Sequence, residues 1–132
     1  MIVLDASAAV ELLIEEGDVG EWVAEILRNE DSVVAPHLID LEVLATLRNL
    51  VLRKEIRPPL AREAILGFGE LGLTRYPVTD LIDRIWELRA RLTPFDASYI
   101  VLAEVFEVPV VTTDSRLARA GGHRAHIVAY GV

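Results

Sequence analysis

The chain has 132 residues, 52% of them hydrophobic, which is enough to bury one sizeable core but too few for two ordinary domains. It has no cysteine, so disulfides, thiolate metal sites and a cysteine nucleophile are excluded, and a reducing compartment is compatible with its composition. Twenty-one acidic against thirteen basic residues give a net charge of −8, which argues against a broad basic surface that coats nucleic acid. We expect a single domain over residues 1–132.

Most of the excess acid has an ordinary explanation. Many glutamates fall where solvated helix faces are expected, namely Glu15, Glu16, Glu21, Glu25, Glu30, Glu63 and Glu70. The N-terminus lacks the basic and apolar regions of a signal peptide, and no run approaches the roughly 20 apolar residues that span a bilayer. We therefore expect a cytoplasmic protein without a membrane segment.

Taken in chain order, short apolar runs alternate with helix-forming segments. The apolar runs predict strands over residues 2–4, 33–35, 108–113 and 127–130, and a strand-like alternation predicts another over residues 73–78. The segments between them predict helices over residues 6–13, 19–28, 37–54, 60–70, 79–91 and 93–106, and a short helix from residue 114. Pro58 and Pro59 separate two successive helices into a hairpin, and Thr79 and Thr93 stand where they would cap the helices that follow.

This alternation predicts an α/β fold with three layers, in which helices cover both faces of a mainly parallel central sheet. Parallel sheets of this kind place their sites at the carboxyl ends of the strands, near a topological switch point. Asp5 and Asp114 each follow an apolar strand. We expect the two to meet at that edge.

Three aspartates also have a purely structural interpretation as helix caps. Asp5 and Asp114 each precede a helix, and aspartate is a preferred N-cap residue. Asp96 comes three residues after Thr93, which is the spacing of a capping box with Pro94 at the first helical position. Taken alone, none of the three identifies a site.

The helix over residues 37–54 carries two acids that compete for a functional role. Glu42 shares a stripe with Thr46, Asn49 and Arg53, a pattern that would also suit a face in contact with water. Asp40 instead lies on the apolar stripe of Leu44, Leu47 and Val51. Periodicity alone leaves both candidates open.

Clustered carboxylates would have a defined chemistry. Carboxylates within about 4–6 Å of one another raise each other's pKa and destabilise the fold unless a cation neutralises them. Oxygen-only ligands select hard ions such as Mg²⁺ or Mn²⁺, and such an ion activates water and stabilises charge on a phosphate. The hydroxyls of Ser7 and of Thr112 or Thr113 would then orient a metal-bound water, although ordinary helix and strand roles also account for them.

Several other residues attract attention for single features. Arg116, Arg119 and Arg124 offer guanidinium groups for substrate phosphates near the last acid, and a solvated helix is the alternative. His123 and His126 lack a third ligand and do not predict zinc. We expect Trp22 and Trp86 to be buried in the core.

Four short motifs follow one another along the chain: Asp5-Ala6-Ser7, Pro36 with Glu42 six residues later, Phe95-Asp96-Ala97 with Tyr99 and Leu102-Ala103, and Thr112-Thr113-Asp114. In this order they resemble the motifs of PIN-domain nucleases, and the length and start are most similar to the VapC toxins of toxin–antitoxin pairs. They span essentially the whole chain. One departure is Ala45, which stands three residues after Glu42 where many relatives have asparagine.

The resemblance implies a catalytic and metal-binding quartet of Asp5, Glu42, Asp96 and Asp114. By the same resemblance, Asp5 and Asp96 would bind Mg²⁺ (or Mn²⁺) directly, Glu42 would hold or orient the ion or its water, and Asp114 would complete the pocket. The implied function is an endoribonuclease toxin that a cognate VapB-type antitoxin neutralises. Such toxins form homodimers, and the hairpin offers candidate interface residues, for which core packing is the alternative: Leu47, Leu50, Val51 and Leu60.

Other classes of protein fit the sequence less well. A receiver-like signalling domain needs an early acid pair and a late lysine, whereas the only lysine is Lys54. A dehalogenase-like phosphatase needs Asp-x-Asp where this chain has Asp5-Ala6-Ser7, and a dinucleotide-binding domain needs a glycine-rich turn there. A non-catalytic interaction domain with the same fold stays open on sequence alone.

Overall fold

The computed structural model describes residues 1–14 and 17–131, and its centre is a five-stranded sheet. The strands are β1 (Ile2–Leu4), β2 (Val33–Pro36), β3 (Thr74–Tyr76), β4 (Val110–Thr112) and β5 (Ile127–Ala129). Their order is β3-β2-β1-β4-β5, and all four pairings are parallel. The predicted parallel sheet is confirmed, with shorter strands at positions 73–78 and 108–113.

Helices flank this sheet. The described residues form α1 (Ala6–Ile14), α2 (Asp18–Arg28), α3 (Ile39–Leu52), α4 (Pro58–Gly69), α5 (Ile82–Glu87), α6 (Pro94–Phe106) and α7 (Ser115–Arg119). Helix α6 contacts β1, β2 and β4, whereas α1 contacts β4 and packs against α2, α3 and α4. The predicted α/β architecture is confirmed. Glu15 and Glu16 lie outside the described residues, so their predicted place on a solvated face is not described.

The core explains why the central strands β1 and β4 are apolar and buried along their length. Every residue of β1 is buried, and Val110 and Val111 of β4 are completely inaccessible, as are Ile100 of α6 and Val43 of α3. A strand that is covered on both faces has no place for the polar residues that alternate in half-exposed strands. Within the described residues, no helix combines the length and the apolar character required to cross a bilayer.

The segment after β3 differs from its prediction. Thr79 makes no capping hydrogen bond, and residues 79–81 form a 3₁₀ turn before α5, which ends at Glu87 and does not continue to residue 91. The chain turns there so that both Leu88 and Leu92 reach the core, while Trp86 stays on the surface.

Two further expectations about burial need correction. Trp86 is 63% exposed and lies beneath the Arg89 guanidinium at 4.8 Å, so its predicted core position is wrong, whereas Trp22 is partly buried against the core. The hairpin residues proposed for a dimer interface are not all exposed. Leu47 is a core residue, and the other three are half-buried: Leu50, Val51 and Leu60.

Candidate active site

The order in which strands are added to the sheet reverses between β1 and β4, and two of the predicted acids lie at this topological switch point. From β1 the chain builds outward to β2 and β3, and it then returns to add β4 and β5 on the other side. Asp5 directly follows β1 and donates its backbone N–H to the Val111 carbonyl at 3.2 Å. Asp114 follows β4 by two residues. Adjacent parallel strands therefore deliver both carboxylates to one edge, as predicted.

This edge opens into a cleft of about 320 Å³, and all four predicted acids line it. Asp5 comes from the end of β1, Glu42 from α3, Asp96 from the first turn of α6, and Asp114 from the turn after β4. The remaining wall is formed by small, polar and aromatic residues together with one cation: Ala6, Ser7, Ala45, Thr46, Asn49, Tyr99 and Arg116. Segments far apart in sequence thus meet in a single acidic site.

Asp5 is the most buried of the four acids, with 5% of its surface exposed. Its Oδ1 accepts hydrogen bonds from the Ser7 hydroxyl at 2.7 Å and from the Ala8 backbone N–H at 2.9 Å. Its Oδ2 accepts one from the Thr112 hydroxyl at 2.5 Å. Asp5 therefore caps α1 and lines the cleft at the same time. Because a carboxylate offers about four lone-pair positions, about one position on Oδ2 is left for an external ligand.

Burial is the main influence on the ionisation of Asp5. Loss of contact with water raises the pKa of Asp5 to about 6, against opposing contributions from its three hydrogen-bond donors, and the nearby Asp114 charge raises it further. Ionisation of Asp5 therefore lowers the stability of the metal-free fold. A cation in the cleft would relieve that cost.

Two of the three hydroxyls predicted to orient a water, those of Ser7 and Thr112, link the strand ends at the site. Thr112 is fully buried, donates to Asp5 and accepts the Asp114 backbone N–H at 3.0 Å, so it has no proton left for water. Ser7 donates to Asp5 and accepts the Thr113 backbone N–H at 3.2 Å. These bonds tie the end of β1 to the end of β4. Within the described part of the chain, the Thr113 hydroxyl makes no hydrogen bond, and only its backbone takes part.

The orientation of α3 decides between Glu42 and Asp40. The helix buries Ile39, Val43 and Leu47, so the predicted apolar stripe through Leu44 is wrong, and Leu44 is 45% exposed. Asp40 lies away from the cleft and forms a bidentate ion pair with Arg75 at 2.7–3.0 Å. The polar stripe of Glu42, Thr46 and Asn49 lines the cleft.

Glu42 is half-buried, and within the described residues its carboxylate accepts one hydrogen bond. Its Oε1 accepts a hydrogen bond from the Tyr99 hydroxyl at 2.6 Å. Partial burial raises the pKa of Glu42, as does the charge of Asp96, while the Tyr99 bond opposes the rise. Burial and the neighbouring Glu42 raise the pKa of Tyr99, so the phenol stays protonated and keeps donating.

Asp96 lies in the first turn of α6, and its carboxylate lines the cleft. Thr93 caps α6 by accepting the Asp96 backbone N–H at 3.2 Å, but within the described residues the Thr93 backbone N–H does not donate to the Asp96 carboxylate in return. Only half of the predicted capping box exists. Burial raises the pKa of Asp96, the neighbouring charge of Asp114 adds to this effect, and the Thr93 side chain and the Arg116 charge oppose it.

Asp114 differs from the other acids because a cation accompanies it. Its Oδ1 caps α7 by accepting the Arg116 backbone N–H at 2.9 Å, and its Oδ2 lies 3.3 Å from Arg116 Nη2. Partial burial alone would raise the pKa of Asp114, but the hydrogen bonds and charge of Arg116 outweigh it, and the pKa lies below its ordinary value.

The other predicted arginines do not join the site. Arg116 lines the cleft with 84% of its side chain exposed, whereas Arg119 is exposed outside the lining. Arg124 lies at the opposite end of the sheet, beside Pro109, where its backbone N–H donates to Glu104. His123 uses both ring nitrogens in local hydrogen bonds, with the Ala120 carbonyl and the Ala125 backbone N–H.

The four acids are distributed around the cleft rather than closed on one point. In residues 1–14 and 17–131, no three His, Cys, Asp or Glu side chains form a ready-made metal cage. Sequence reasoning also gave Tyr99 no role in the site, although it follows Asp96 by three residues and therefore shares its helix face. Ala45 stands in the wall, where it contributes no polar group.

Comparisons with known proteins identify the family of the chain. A PIN domain family model matches residues 2–123. Ribonuclease VapC9 of Mycobacterium tuberculosis is 40% identical over 92% of this chain and 91% of its own length. Ribonuclease VapC12 of the same species is 41% identical over 96% of this chain and 97% of its own length.

Solved structures give the same fold. PAE2754 from Pyrobaculum aerophilum superposes with a TM-score of 0.69 at 22% identity, covering 96% of this chain and 81% of that one. Mycobacterium tuberculosis VapC20, described as a sarcin-ricin loop cleaving toxin, gives 0.66 at 16% identity, covering 89% and 93%. The family match over nearly the whole chain and the close sequence relatives together show that this chain belongs to the PIN-domain family and, within it, to the VapC-type ribonucleases.

Proposed function

We propose that this chain is a Mg²⁺-dependent endoribonuclease and that Asp5, Glu42, Asp96 and Asp114 are its catalytic and metal-binding residues. The observation that carries the proposal is that four carboxylates line one cleft in which Arg116 is the single cation contributed by the described residues. Three of the four have raised pKa values, chiefly because of burial. Such a site is costly unless a cation binds in it.

The donor set fits a magnesium ion better than a closed cage of protein ligands would. Mg²⁺ keeps several waters and usually takes one or two carboxylates together with substrate phosphate oxygens. Asp5 offers Oδ2, Glu42 offers Oε2, and Asp96 offers a carboxylate that lines the cleft. When bound, the ion would lower the pKa of a water and stabilise charge on the phosphate. Mn²⁺ has the same preference for oxygen and would substitute.

The chain's own residues would bind and orient the substrate backbone. Arg116 is the lining cation, and its exposed guanidinium can exchange its contact with Asp114 for an RNA phosphate. Arg119 would contribute from the exposed face of α7, farther from the acids. A single local cation next to the acidic cleft allows a chain with a net charge of −8 to approach a polyanion.

The relatives' names extend the proposal to biological role. As a VapC-type ribonuclease of the cytoplasm, the protein would act as the toxin of a toxin–antitoxin pair and would be held inactive by a VapB-type antitoxin. Loss of growth on expression of the chain, and its recovery on co-expression of the neighbouring small reading frame, would support this role. Unchanged growth on expression of an RNA-cleaving chain would contradict it.

We also propose that the protein is a homodimer. Ile82, Trp86 and Phe95 are each more than half exposed and line one apolar groove with Leu38 and Pro94, which is unusual for a surface that stays in water. Sedimentation velocity should show a dimer for the parent and a monomer for Trp86→Glu. A monomeric parent at tens of micromolar would exclude this assembly.

RNA cleavage tests the catalytic proposal directly. Purified protein should cut a mixture of structured RNAs in Mg²⁺ or Mn²⁺ and should be inactive in EDTA, with activity restored when excess metal is added back. Asp96→Asn should remove the activity because it takes one charge from the cleft at constant side-chain size, and a retained fold can be verified by circular dichroism. Inertness toward every RNA with either metal would favour a non-catalytic interaction domain.

A further inference from the structure

We propose that Tyr99 is a positioning residue for Glu42. The Tyr99 hydroxyl holds one oxygen of the Glu42 carboxylate, so that the other oxygen is available to the metal and its water. This inference rests on the proposed function of the cleft, because it assigns Glu42 a role there. The Tyr99 hydrogen bond, and not the folding of α3 alone, sets where the Glu42 carboxylate lies.

The first support is the contrast between the two side chains. Tyr99 is 2% exposed and is one of the largest fully buried side chains of α6, a helix that packs on β1, β2 and β4. Glu42 is half-buried at the cleft and sits on a long, flexible side chain. The rigid member of the pair therefore holds the mobile one, over a 2.6 Å bond between residues 57 positions apart.

The second support is the count of hydrogen bonds at the Glu42 carboxylate. The Tyr99 bond to Oε1 is its one side-chain bond within the described residues, whereas Asp5 has three. Without Tyr99, nothing described would select one rotamer of Glu42. With it, Oε1 has one lone-pair position engaged, and Oε2 remains fully available.

The third support is that α3 is fixed independently on its other side. Asp40, two residues before Glu42, forms the bidentate pair with Arg75 of β3. The backbone of the first turn is thus anchored without Tyr99. Removing the phenolic hydroxyl should loosen the carboxylate and leave the helix in place.

The test combines Tyr99→Phe with a matched control and a double-mutant cycle. Tyr99→Phe removes one oxygen and keeps the buried ring, so the core should stay packed. Tyr76→Phe is the control, because the Tyr76 ring packs against Phe106 in a tilted arrangement and its hydroxyl makes no hydrogen bond in the described part of the chain. The full chain is titrated with Mn²⁺ by calorimetry without RNA, and RNA cleavage is measured separately in saturating Mg²⁺.

Tyr99→Phe should weaken Mn²⁺ binding about 10-fold or more, the usual cost of losing a hydrogen-bond partner behind a metal ligand, while Tyr76→Phe leaves it unchanged. Ca²⁺ affinity should fall less, because Ca²⁺ takes six to eight oxygen ligands in a flexible geometry, whereas the smaller Mn²⁺ takes fewer ligands at shorter distances and depends more on the position of each one. If Tyr99 had a merely structural role, Tyr99→Phe would weaken the binding of both ions equally. Equal losses for the two ions, or none, would overturn the inference.

The cycle separates this claim from the proposed function. In a Glu42→Ala background, Tyr99→Phe should have no further effect on Mn²⁺ affinity or on cleavage, since Tyr99 acts through Glu42. An additional loss in that background would show that Tyr99 acts by another route. If Glu42→Ala itself changed neither property, the proposed role of Glu42 would fail instead, whatever Tyr99→Phe did.

Discussion

Replacing Asp5 with asparagine should abolish RNA cleavage and, at pH 8 without metal, should raise the free energy of unfolding by about 2 kcal/mol. The loss of activity follows from removal of a buried charge that the proposed ion requires, and we expect a decrease of about 100-fold or more. The gain in stability has the same origin. A functional anion that is costly to bury is replaced by a neutral group of equal size.

The raised pKa of Asp5 determines how its contribution to the free energy of unfolding changes with pH. Below pH 3.8, Asp5 is protonated in both the folded and the unfolded chain, and its burial carries no charge penalty. As the pH rises toward 6, the unfolded chain releases the proton first, so this group lowers stability, by about 3 kcal/mol in total at about 1.4 kcal/mol per pKa unit. The asparagine side chain of the variant escapes this penalty but donates to Thr112 in place of accepting from it, which offsets about 1 kcal/mol.

Urea unfolding in EDTA at pH 8 and at pH 4 measures the difference. The asparagine variant should be the more stable protein at pH 8, and its advantage should disappear at pH 4. A variant less stable than the parent at pH 8 would show that the Asp5 charge is already compensated in the metal-free fold.

Replacing Thr112 with valine should weaken both the fold and the site. Valine has nearly the same shape but removes the donor to Asp5 Oδ2 and the acceptor of the Asp114 N–H. Loss of a buried hydrogen-bond partner costs about 1–3 kcal/mol of unfolding free energy. Metal affinity should fall about 10- to 100-fold, because Asp5 loses orientation and becomes harder to ionise.

Thr113→Val is the matched control for this experiment. The same chemical change one residue later touches a hydroxyl without a hydrogen bond in the described residues, so stability and Mn²⁺ affinity should stay near the parent values. Thermal unfolding and calorimetric titration of the two variants make the comparison. Equal behaviour of the two valine variants would mean that the Thr112 link between β1 and β4 does not support the site.

The sheet and two of the four acids could be predicted because they depend on local and topological rules. Apolar runs such as residues 2–4 identify strands, and parallel order then fixes where the residue after a strand must lie. Asp5 and Asp114 follow from those two steps. Glu42 and Asp96 were chosen by resemblance, since cap and solvent-face interpretations of both were equally consistent with their spacing.

What could not be predicted depends on packing between distant segments. Helix α3 carries leucines all round, so its periodicity pointed to a stripe through Leu44, whereas the fold buries Ile39 and Val43. Trp86 was expected inside because large aromatic residues usually are, yet it lies on an exposed helix face. The hydrogen bond from Tyr99 to Glu42 joins α6 to α3, and no local sequence pattern predicts it.

Paramagnetic broadening by Mn²⁺ would locate the ion on which the proposed chemistry depends. In amide spectra of the metal-free protein, substoichiometric Mn²⁺ should first erase the signals next to the cleft, at Ser7, Glu42, Asp96 and Asp114, and should erase none of these in a variant with all four acids changed to amides. Broadening that begins at Glu104 and Glu107, or that persists in the fourfold variant, would place the ion elsewhere and contradict a carboxylate-held metal centre.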